Sequence, residues 1–199
     1  MENNFLFFVL ISYLIGSIPF AYILTRVFGL GDIRNIGSGN VGATNVLRTG
    51  KKKLAIVVLF LDIFKGYLPI SFFTFLYESQ FQQFEILIIT SFAIIGHIFP
   101  IWLKFKGGKG VATYIGYILG INYIFGAIFI LCWLIIALIK KYSSLASILS
   151  LIIIPIISYF LSYSMQINLL LVLLGIIIIY KHNANIKRLL SNSETKIKL

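Results

Sequence analysis

The chain has 199 residues, of which 59% are hydrophobic and 12% are charged, and its formal net charge is +11. A soluble protein of this size cannot bury so much apolar surface, and the mean hydropathy of +0.99 indicates that lipid surrounds most of the chain. The basic residues lie between hydrophobic stretches, where they orient a membrane protein, and this argues against a nucleic-acid partner. The single cysteine, Cys132, rules out a disulfide framework, and the sequence contains no pattern typical of metal ligands.

Six strongly apolar stretches organise the chain. They cover about residues 5–28, 54–77, 86–103, 111–139, 145–163 and 167–180. The first stretch is too long for a signal peptide and lacks its basic start, so we interpret it as a retained span. At about 20 apolar residues per span, the length leaves no room for a soluble domain, and we expect a single membrane domain over residues 1–199.

The distribution of lysine and arginine predicts the orientation of the spans. Positive charge favours the cytoplasmic side, and here it clusters in alternate connections and in the tail, whereas Glu78 and Glu85 lie in a connection without Lys or Arg. This pattern predicts an external N-terminus and a cytoplasmic C-terminus. Because Lys109 and Lys140 would both be cytoplasmic, the apolar stretch between them must cross the membrane an even number of times.

We therefore predict that the fourth stretch is split into a half-span over residues 111–120, a turn at Ile121 and Asn122, and a full returning span. Such a half-span reaches only about 15 Å as a helix, so it would be re-entrant or packed inside the bundle. The expected fold is an all-α polytopic membrane bundle of about seven helices. The alternative is one long tilted helix in this stretch and a total of about six spans.

The first cytoplasmic loop, residues 37–50, is rich in glycine and small polar residues. Glycine lets backbone N–H groups approach an anion closely, and the fork of an arginine suits phosphate. The candidate binding residues are Ser38, Asn40, Thr44, Asn45 and Arg48. A flexible polar connector is the alternative, but irregular backbone at this depth needs buried or aqueous surroundings, which favours a functional loop.

A second glycine-rich segment, residues 104–113, leads into the predicted half-span. A glycine-rich loop that enters a helix is typical of a phosphate cradle, because unpaired N–H groups and the positive helix end meet lysine charge. The candidate residues are Lys106, Gly107, Gly108 and Lys109. The segment is not a Walker A motif, since Gly110 follows the lysine, and the alternative is an ordinary basic membrane anchor. We interpret the nearby His97 as structural.

Two further pairs of polar residues are spaced by one helical turn. His182 and Asn185, at the start of the tail, would share one face of a helix, although the basic end of a last span would look similar. Asp62 and Lys65 lie within the second span, where ionisable groups are costly. They form either a buried ion pair or a pair whose lysine reaches a bound phosphate, and the sequence leaves both open.

In order and spacing, these segments resemble the acyl-phosphate:glycerol-3-phosphate acyltransferases of bacterial membranes, the PlsY type. The resemblance rests on G-S-G-N-V-G-A-T-N with the following Arg48, on F-K-G-G-K-G-V-A-T, and on H-N-A-N-I-K-R-L. It extends along nearly the whole chain, including residues 16–22 in the first span and residues 62–66 in the second.

The resemblance implies the first acylation of phospholipid synthesis, in which an acyl group moves from acyl phosphate to the sn-1 hydroxyl of glycerol 3-phosphate. The products would be lysophosphatidic acid and phosphate. It also implies a seven-helix fold in the bacterial inner (plasma) membrane, an active site on the cytoplasmic face, and a soluble acyl-phosphate synthase as functional partner. Because acyl phosphate is already an activated mixed anhydride, no cofactor, metal or covalent nucleophile is expected.

Carried over residue by residue, the resemblance implies roles for the candidates. Ser38 would hydrogen-bond the acyl phosphate, and Arg48 would hold phosphate together with one or both of the lysines at 106 and 109. His182 and Asn185 would orient glycerol 3-phosphate. The residues expected to line the same pocket are Asn40, Thr44, Asn45 and the backbone of Gly107 and Gly108.

The sequence leaves the general base open. Neutral His182 or an oxygen of the substrate phosphate could accept the hydroxyl proton, since Asp32 is the only carboxylate in these loops. Covalent catalysis by Ser38 is disfavoured because no base lies beside it in the sequence. The alternative function, a transporter or flippase of a phosphorylated lipid or organic anion, is disfavoured because the sequence shows no internal repeat. We expect the polar tail from residue 191 onward to be disordered.

Overall fold

The structure is a computed structural model that describes residues 2–197, with side chains from residue 4 onward. Within these residues every regular element is a helix, as the sequence predicts. The α-helices are α1 (Glu2–Ser17), α2 (Phe20–Val27), α3 (Ala43–Leu47), α4 (Lys52–Tyr77), α5 (Gln83–Ile98), α6 (Val111–Ile121), α7 (Tyr123–Lys140), α8 (Ser143–Phe160), α9 (Met165–Tyr180) and α10 (Asn183–Leu190). Two 3-10 turns, Ile33–Asn35 and Ile101–Leu103, lie in the connections.

The helices have the length and composition of membrane spans. Counting α1 and α2 together, five segments of the described chain are long and apolar enough to cross a bilayer. The pair α9 and α10, bent by 63°, would make a sixth. This confirms a polytopic all-α membrane protein. The expected total of seven membrane helices, counting the half-span, and their orientation stay predictions.

The predicted break inside the fourth apolar stretch is confirmed. Helix α6 ends at Ile121, and Asn122 is extended, with φ −159° and ψ 126°. The Asn122 side chain accepts a hydrogen bond from the Ile124 amide at 2.8 Å and so caps the start of α7. A single long helix through this stretch is therefore wrong. At about 1.5 Å per residue, α6 is much shorter than the roughly 30 Å hydrocarbon core.

The first stretch differs from the continuous span that we expected, because it is broken between α1 and α2. Helix α1 ends at Ser17 and Pro19 precedes α2. Proline has no N–H to donate and disfavours the helical conformation of the residue before it, here Ile18. The interruption leaves the Ile18 carbonyl outside the regular pattern of helical hydrogen bonds.

The chain forms two compact units that divide between Ile121 and Asn122. In the first unit, α1 packs on α5 and α4 packs on α6. Glycines allow the close approach, since an added Cβ at Gly16 would collide with the Ala93 backbone and one at Gly116 with the Ile63 backbone. Small residues at helix contacts are typical of membrane bundles.

In the second unit, α7 packs on α8, and α8 packs on α9 and α10. The Trp133 indole donates to the Ser147 hydroxyl at 3.1 Å, which links α7 to α8. Near the end of the described chain, the Ile197 amide donates to the Lys141 carbonyl at 2.8 Å. The expectation of one domain over residues 1–199 stays a prediction.

Candidate active site

Asn45 organises the first polar loop, residues 37–50, which we call loop 1. Its Oδ1 accepts hydrogen bonds from the Ser38 amide at 2.9 Å and the Ser38 hydroxyl at 3.2 Å. Its Nδ2 donates to the carbonyls of Ile33 at 3.1 Å and Ile36 at 2.8 Å. These four bonds use the full capacity of the amide. We expected Asn45 to line a pocket, but it is 1% exposed and holds Ser38 in place instead.

Loop 1 brings Arg48 next to Ser38. Gly37 has φ +55°, and an added Cβ there would lie 2.5 Å from Asn45 Oδ1 and 3.2 Å from Arg48 Cδ. The stem of Arg48 therefore runs across Gly37, one residue from Ser38, and both side chains are exposed. A hydroxyl and a guanidinium thus lie at the surface of a loop whose backbone is held by the buried Asn45 amide. Asn40 and Thr44 are half-buried in the same loop.

Asp32, just before loop 1, forms ion pairs with two arginines. Arg34 donates from Nε to Asp32 Oδ1 at 2.9 Å and from Nη2 to Oδ2 at 2.6 Å. Arg26 Nη2 lies 3.7 Å from Asp32 Oδ2. The hydrogen bonds from Arg34 lower the pKa of Asp32 to about 2. A carboxylate this acidic is a poor proton acceptor at neutral pH, so Asp32 is not a suitable general base.

Residues 99–110, which contain the start of the second predicted segment, are called loop 2, and this loop folds back on the end of α5. The Gly107 amide donates to the Ile98 carbonyl at 3.2 Å, and the Gly108 amide donates to the His97 carbonyl at 3.1 Å. These two N–H groups are thus paired within the protein, and the expectation that the Gly107 and Gly108 backbone lines the pocket stays a prediction. Of the flanking cations, Lys106 is exposed and Lys109 is half-buried.

Loops 1 and 2 meet at Gly108. A Cβ at this position would lie 2.6 Å from the Val41 carbonyl of loop 1 and would also collide with His97 Nε2. Leu103 of loop 2 shares a buried cluster with Val41 and Val46 of loop 1. The structure therefore brings the first two predicted segments together in one unit.

Asp62 and Lys65 form a buried ion pair, the first of our two alternatives. Lys65 Nζ lies 2.8 Å from Asp62 Oδ1, and both side chains are almost fully buried. Lys65 Nζ also donates to the Ile18 carbonyl at 2.8 Å. The ammonium is thus held by two protein oxygens rather than directed at a surface phosphate.

His182 and Asn185, the third predicted segment, belong to the second unit. His182 is 2% exposed, and its Nδ1 lies 2.8 Å from the Ile178 carbonyl. A carbonyl only accepts, so this contact places a proton on Nδ1. In the neutral ring, the lone pair is then on Nε2, which is the form that a general base requires.

The sequence analysis missed Glu194, which is bound to Asn185. Asn185 Nδ2 and the Ser144 hydroxyl donate to Glu194 Oε1 at 2.7 and 2.9 Å. Arg188 Nε donates to Glu194 Oε2 at 2.6 Å. The expectation of a disordered tail from residue 191 is therefore wrong for this part of it, because a buried carboxylate ties it down. The available signal was the rarity of acid, since Glu194 is one of only six acidic residues in the chain.

Comparisons with known proteins point to one family of acyltransferases. The family model described as glycerol-3-phosphate acyltransferase matches residues 6–192. The glycerol-3-phosphate acyltransferase of Bartonella henselae is 50% identical over 188 residues, which cover 94% of this chain and 89% of that protein. The glycerol-3-phosphate acyltransferase of Pelagibacter ubique is 46% identical over 196 residues, which cover 98% of this chain and 99% of that protein.

The chain belongs to the glycerol-3-phosphate acyltransferase family. It is thus an acyltransferase of membrane phospholipid synthesis, and the transporter or flippase alternative loses its support. The crystal structure of PlsY, an integral membrane glycerol 3-phosphate acyltransferase, in its glycerol 3-phosphate form has a TM-score of 0.91 and 36% identity. The match covers 98% of this chain and 96% of the PlsY chain. The lysophosphatidic acid form of PlsY has a TM-score of 0.88 and 35% identity.

Gly108 of this acyltransferase is expected not to tolerate alanine. The added methyl group would meet the Val41 carbonyl and the His97 ring at once, so one loop must move away from the other. We expect Gly108→Ala to lower acyltransferase activity by at least about tenfold, which corresponds to a rise of roughly 1.4 kcal/mol or more in the activation free energy. Gly175→Ala is the matched control, because its Cβ would lie 3.8 Å from the Leu151 carbonyl, an ordinary contact. Equal initial rates of the two variants would contradict the close packing of the loops.

Glu194 is expected to stabilise the acyltransferase in a pH-dependent way. Burial raises the pKa of this carboxyl, but hydrogen bonds from Asn185, Arg188 and Ser144 outweigh burial and lower it below its ordinary value. A lowered pKa means that the stabilisation is complete above the pKa of the unfolded chain and is lost as the pH falls through the folded pKa.

Glu194→Gln should therefore unfold at a lower temperature than the wild type in detergent at pH 7. Losing charged hydrogen bonds costs roughly 1.5–3 kcal/mol, and about 2–4 °C is expected for each kcal/mol in a chain of this length. The difference between the two proteins should shrink as the pH is lowered toward 4. A difference that grows on acidification would contradict this assignment. Glu85→Gln, at a half-buried position in the capping box at the start of α5, is the control.

Proposed function

We propose that this acyltransferase moves an acyl group from acyl phosphate to the sn-1 hydroxyl of glycerol 3-phosphate. The hydroxyl oxygen attacks the acyl carbonyl carbon, the bond from that carbon to the phosphate oxygen breaks, and the hydroxyl proton passes to a base. The products are lysophosphatidic acid and inorganic phosphate. The observation that carries this proposal is the meeting of loops 1 and 2 at Gly108, which gathers a hydroxyl, a guanidinium and two lysines on adjoining loops.

The two similar structures support these substrates. One is the glycerol 3-phosphate form and the other the lysophosphatidic acid form of PlsY. Glycerol 3-phosphate is the acceptor of the proposed reaction, and lysophosphatidic acid is its product. Acyl phosphate as the donor suits the residues present, because the leaving phosphate is already activated and needs charge stabilisation rather than a covalent intermediate.

We assign the phosphate-holding role to residues of loops 1 and 2. Arg48 offers a planar fork for two phosphate oxygens, and Lys106 and Lys109 add charge from the neighbouring loop. Ser38 donates a hydrogen bond to the acyl phosphate. Its hydroxyl is within 3.2 Å of the Asn45 amide oxygen, which is too weak a base to activate a nucleophile, and this supports a non-covalent role. Asn40, Thr44 and the glycine backbone of loop 2 shape the surroundings.

We assign the acceptor substrate to His182 and Asn185. The contact between His182 Nδ1 and the Ile178 carbonyl favours a basic Nε2, which can take the proton of the glycerol hydroxyl. Asn185 would orient the same substrate, and its carboxylate partner Glu194 fixes the amide. A phosphate oxygen of the substrate is the remaining candidate for the base.

We further propose that the enzyme lies in the bacterial inner (plasma) membrane with seven helices, an external N-terminus and the active site on the cytoplasmic face. A soluble acyl-phosphate synthase would supply the donor from that side. The basic loops support this orientation through the positive-inside rule. A reporter fused after Lys141 is expected to be cytoplasmic, and an external signal would contradict the topology.

The deciding experiment supplies palmitoyl phosphate and glycerol 3-phosphate to the purified enzyme in detergent. Lysophosphatidic acid and one equivalent of inorganic phosphate are expected. A parallel reaction with palmitoyl coenzyme A should give no product. Product from the coenzyme A ester but not from the phosphate would show that the proposed donor is wrong.

A further inference from the structure

Three ionisable side chains that have no role in the proposed reaction meet in the interior of the first unit. Asp62 and Lys65 are each 2% exposed and His97 is 7% exposed. Lys65 Nζ and His97 Nδ1 lie 2.8 and 3.6 Å from the same oxygen, Asp62 Oδ1. Ionisable groups inside a membrane bundle are costly, so their presence here points to a function.

Lys65 connects this cluster to the break in the first span. Its Nζ donates to the Ile18 carbonyl at 2.8 Å, a group at the interruption before Pro19 that also accepts from the Phe20 amide at 3.1 Å. The same ammonium lies 5.5 Å from the centre of the Phe20 ring. The cluster therefore ties the start of α2 to α4.

His97 connects the cluster to loop 2. The Gly108 amide donates to the His97 carbonyl at 3.1 Å, and an added Cβ at Gly108 would collide with His97 Nε2. The imidazole thus forms the surface on which Gly108 rests, and Gly108 in turn lies against the Val41 carbonyl of loop 1. Gly108 is therefore close to both the His97 ring and the Val41 carbonyl.

The cluster is not a binding pocket itself. Asp62, Lys65 and His97 line a cavity of about 10 Å³ together with Gly107 and Gly108. This is room for about one water molecule, which is far too little for a phosphate group. A phosphate group therefore does not fit beside these side chains, whereas Gly107 and Gly108 of loop 2 line the same cavity.

We propose that Asp62 is a positioning residue for phosphate binding, acting through His97 on the Gly107–Gly108 segment and through Lys65 on the break in the first span. The inference rests on the proposed function, since it assigns to the cluster the alignment of loop 2 with loop 1. Asp62 orients the imidazole, the imidazole supports Gly108, and Gly108 sets the position of the flanking Lys106 and Lys109 relative to Arg48 of loop 1.

The test separates positioning from simple loss of a buried charge. Removing one partner of a buried ion pair leaves an uncompensated charge, whereas replacing both by apolar residues of similar size is often tolerated. The variants are therefore Asp62→Leu with Lys65→Met, which removes the carboxylate that lies 3.6 Å from His97 Nδ1, and Asp62→Asn with Lys65→Met, which keeps an oxygen at that position. Thr90→Val is the control for loss of a buried polar group elsewhere on α5, where the hydroxyl donates to the Ile86 carbonyl at 2.8 Å.

The leucine–methionine variant is expected to raise the KM for palmitoyl phosphate at least tenfold with a smaller change in kcat. The asparagine–methionine variant should restore most of the loss, and Thr90→Val should keep the wild-type KM. Equal KM values for the two double variants would overturn the proposal. The wild-type enzyme in the same assay tests the proposed function separately, because a wild type without activity on palmitoyl phosphate would contradict that function and not the role of Asp62.

Two further measurements test the proposal if a double variant fails to fold. His97→Asn keeps a donor near Asp62 and should keep a lower KM than His97→Leu, and equal values would overturn the proposal. Amide hydrogen exchange in residues 105–110 should be at least tenfold faster in His97→Leu than in Thr90→Val. Unchanged exchange would also overturn it, and this readout does not depend on which acyl donor the enzyme uses.

Discussion

Replacing Arg48 by alanine is expected to lower the rate of lysophosphatidic acid formation by about 100-fold. The guanidinium is exposed and its stem crosses Gly37 beside Ser38, so it can meet a phosphate without moving loop 1. Loss of a hydrogen bond to a charged group costs roughly 1.5–3 kcal/mol, and donors aimed at a developing anion are worth about 100-fold or more in rate. Initial rates with saturating glycerol 3-phosphate and varied palmitoyl phosphate give the measurement.

Two matched variants separate the fork of Arg48 from basic charge in general. Arg48→Lys keeps the charge but loses the planar pair of donors, so we expect an intermediate loss of about tenfold. Lys53→Ala removes an exposed charge at the start of α4 and should leave the rate near the wild-type value. If Lys53→Ala and Arg48→Ala lost the same activity, the general surface charge, and not a specific contact, would account for the effect.

Most of the fold follows from the pattern of apolar residues, and the exceptions have local causes. The break at Asn122 could be predicted because charge on both sides of the stretch demanded an even number of crossings. The break before Pro19 was missed because it lies within one apolar stretch, where hydropathy does not change and only proline signals it. The ordered end of the tail was missed because composition predicts disorder and does not reveal a single buried contact.

The candidate site shows a similar division. The residue types and their order located loops 1 and 2, since glycine, hydroxyl and basic side chains are the groups that suit phosphate. Sequence could not separate the side chains that face outward from those that hold the loop. Asn45 and Ser38 look equally suitable, yet the four hydrogen bonds of the Asn45 amide face inward. The contact of Asp62 with His97, 35 positions apart by their residue numbers, depends on packing between helices.

Replacing His182 by asparagine is expected to lower kcat by about 100-fold while leaving the fold intact. The Nδ2 group of asparagine can take the place of His182 Nδ1 and still donate to the Ile178 carbonyl. It supplies nothing in the place of Nε2, so the proton acceptor is lost, and general-base catalysis is worth about 100- to 10,000-fold. Thermal unfolding in detergent and kcat at saturating concentrations of both substrates separate the two effects.

A second replacement distinguishes proton transfer from substrate orientation. His182→Gln places a polar group near the position of Nε2 but provides no base, so it should lower kcat as much as His182→Asn while changing the KM for glycerol 3-phosphate less. Asn183→Ala, at an exposed neighbouring position, is the control and should keep both parameters. A folded His182→Asn enzyme with the wild-type kcat would assign the proton to a phosphate oxygen of the substrate, because no nitrogen in the correct position would then remain to accept it.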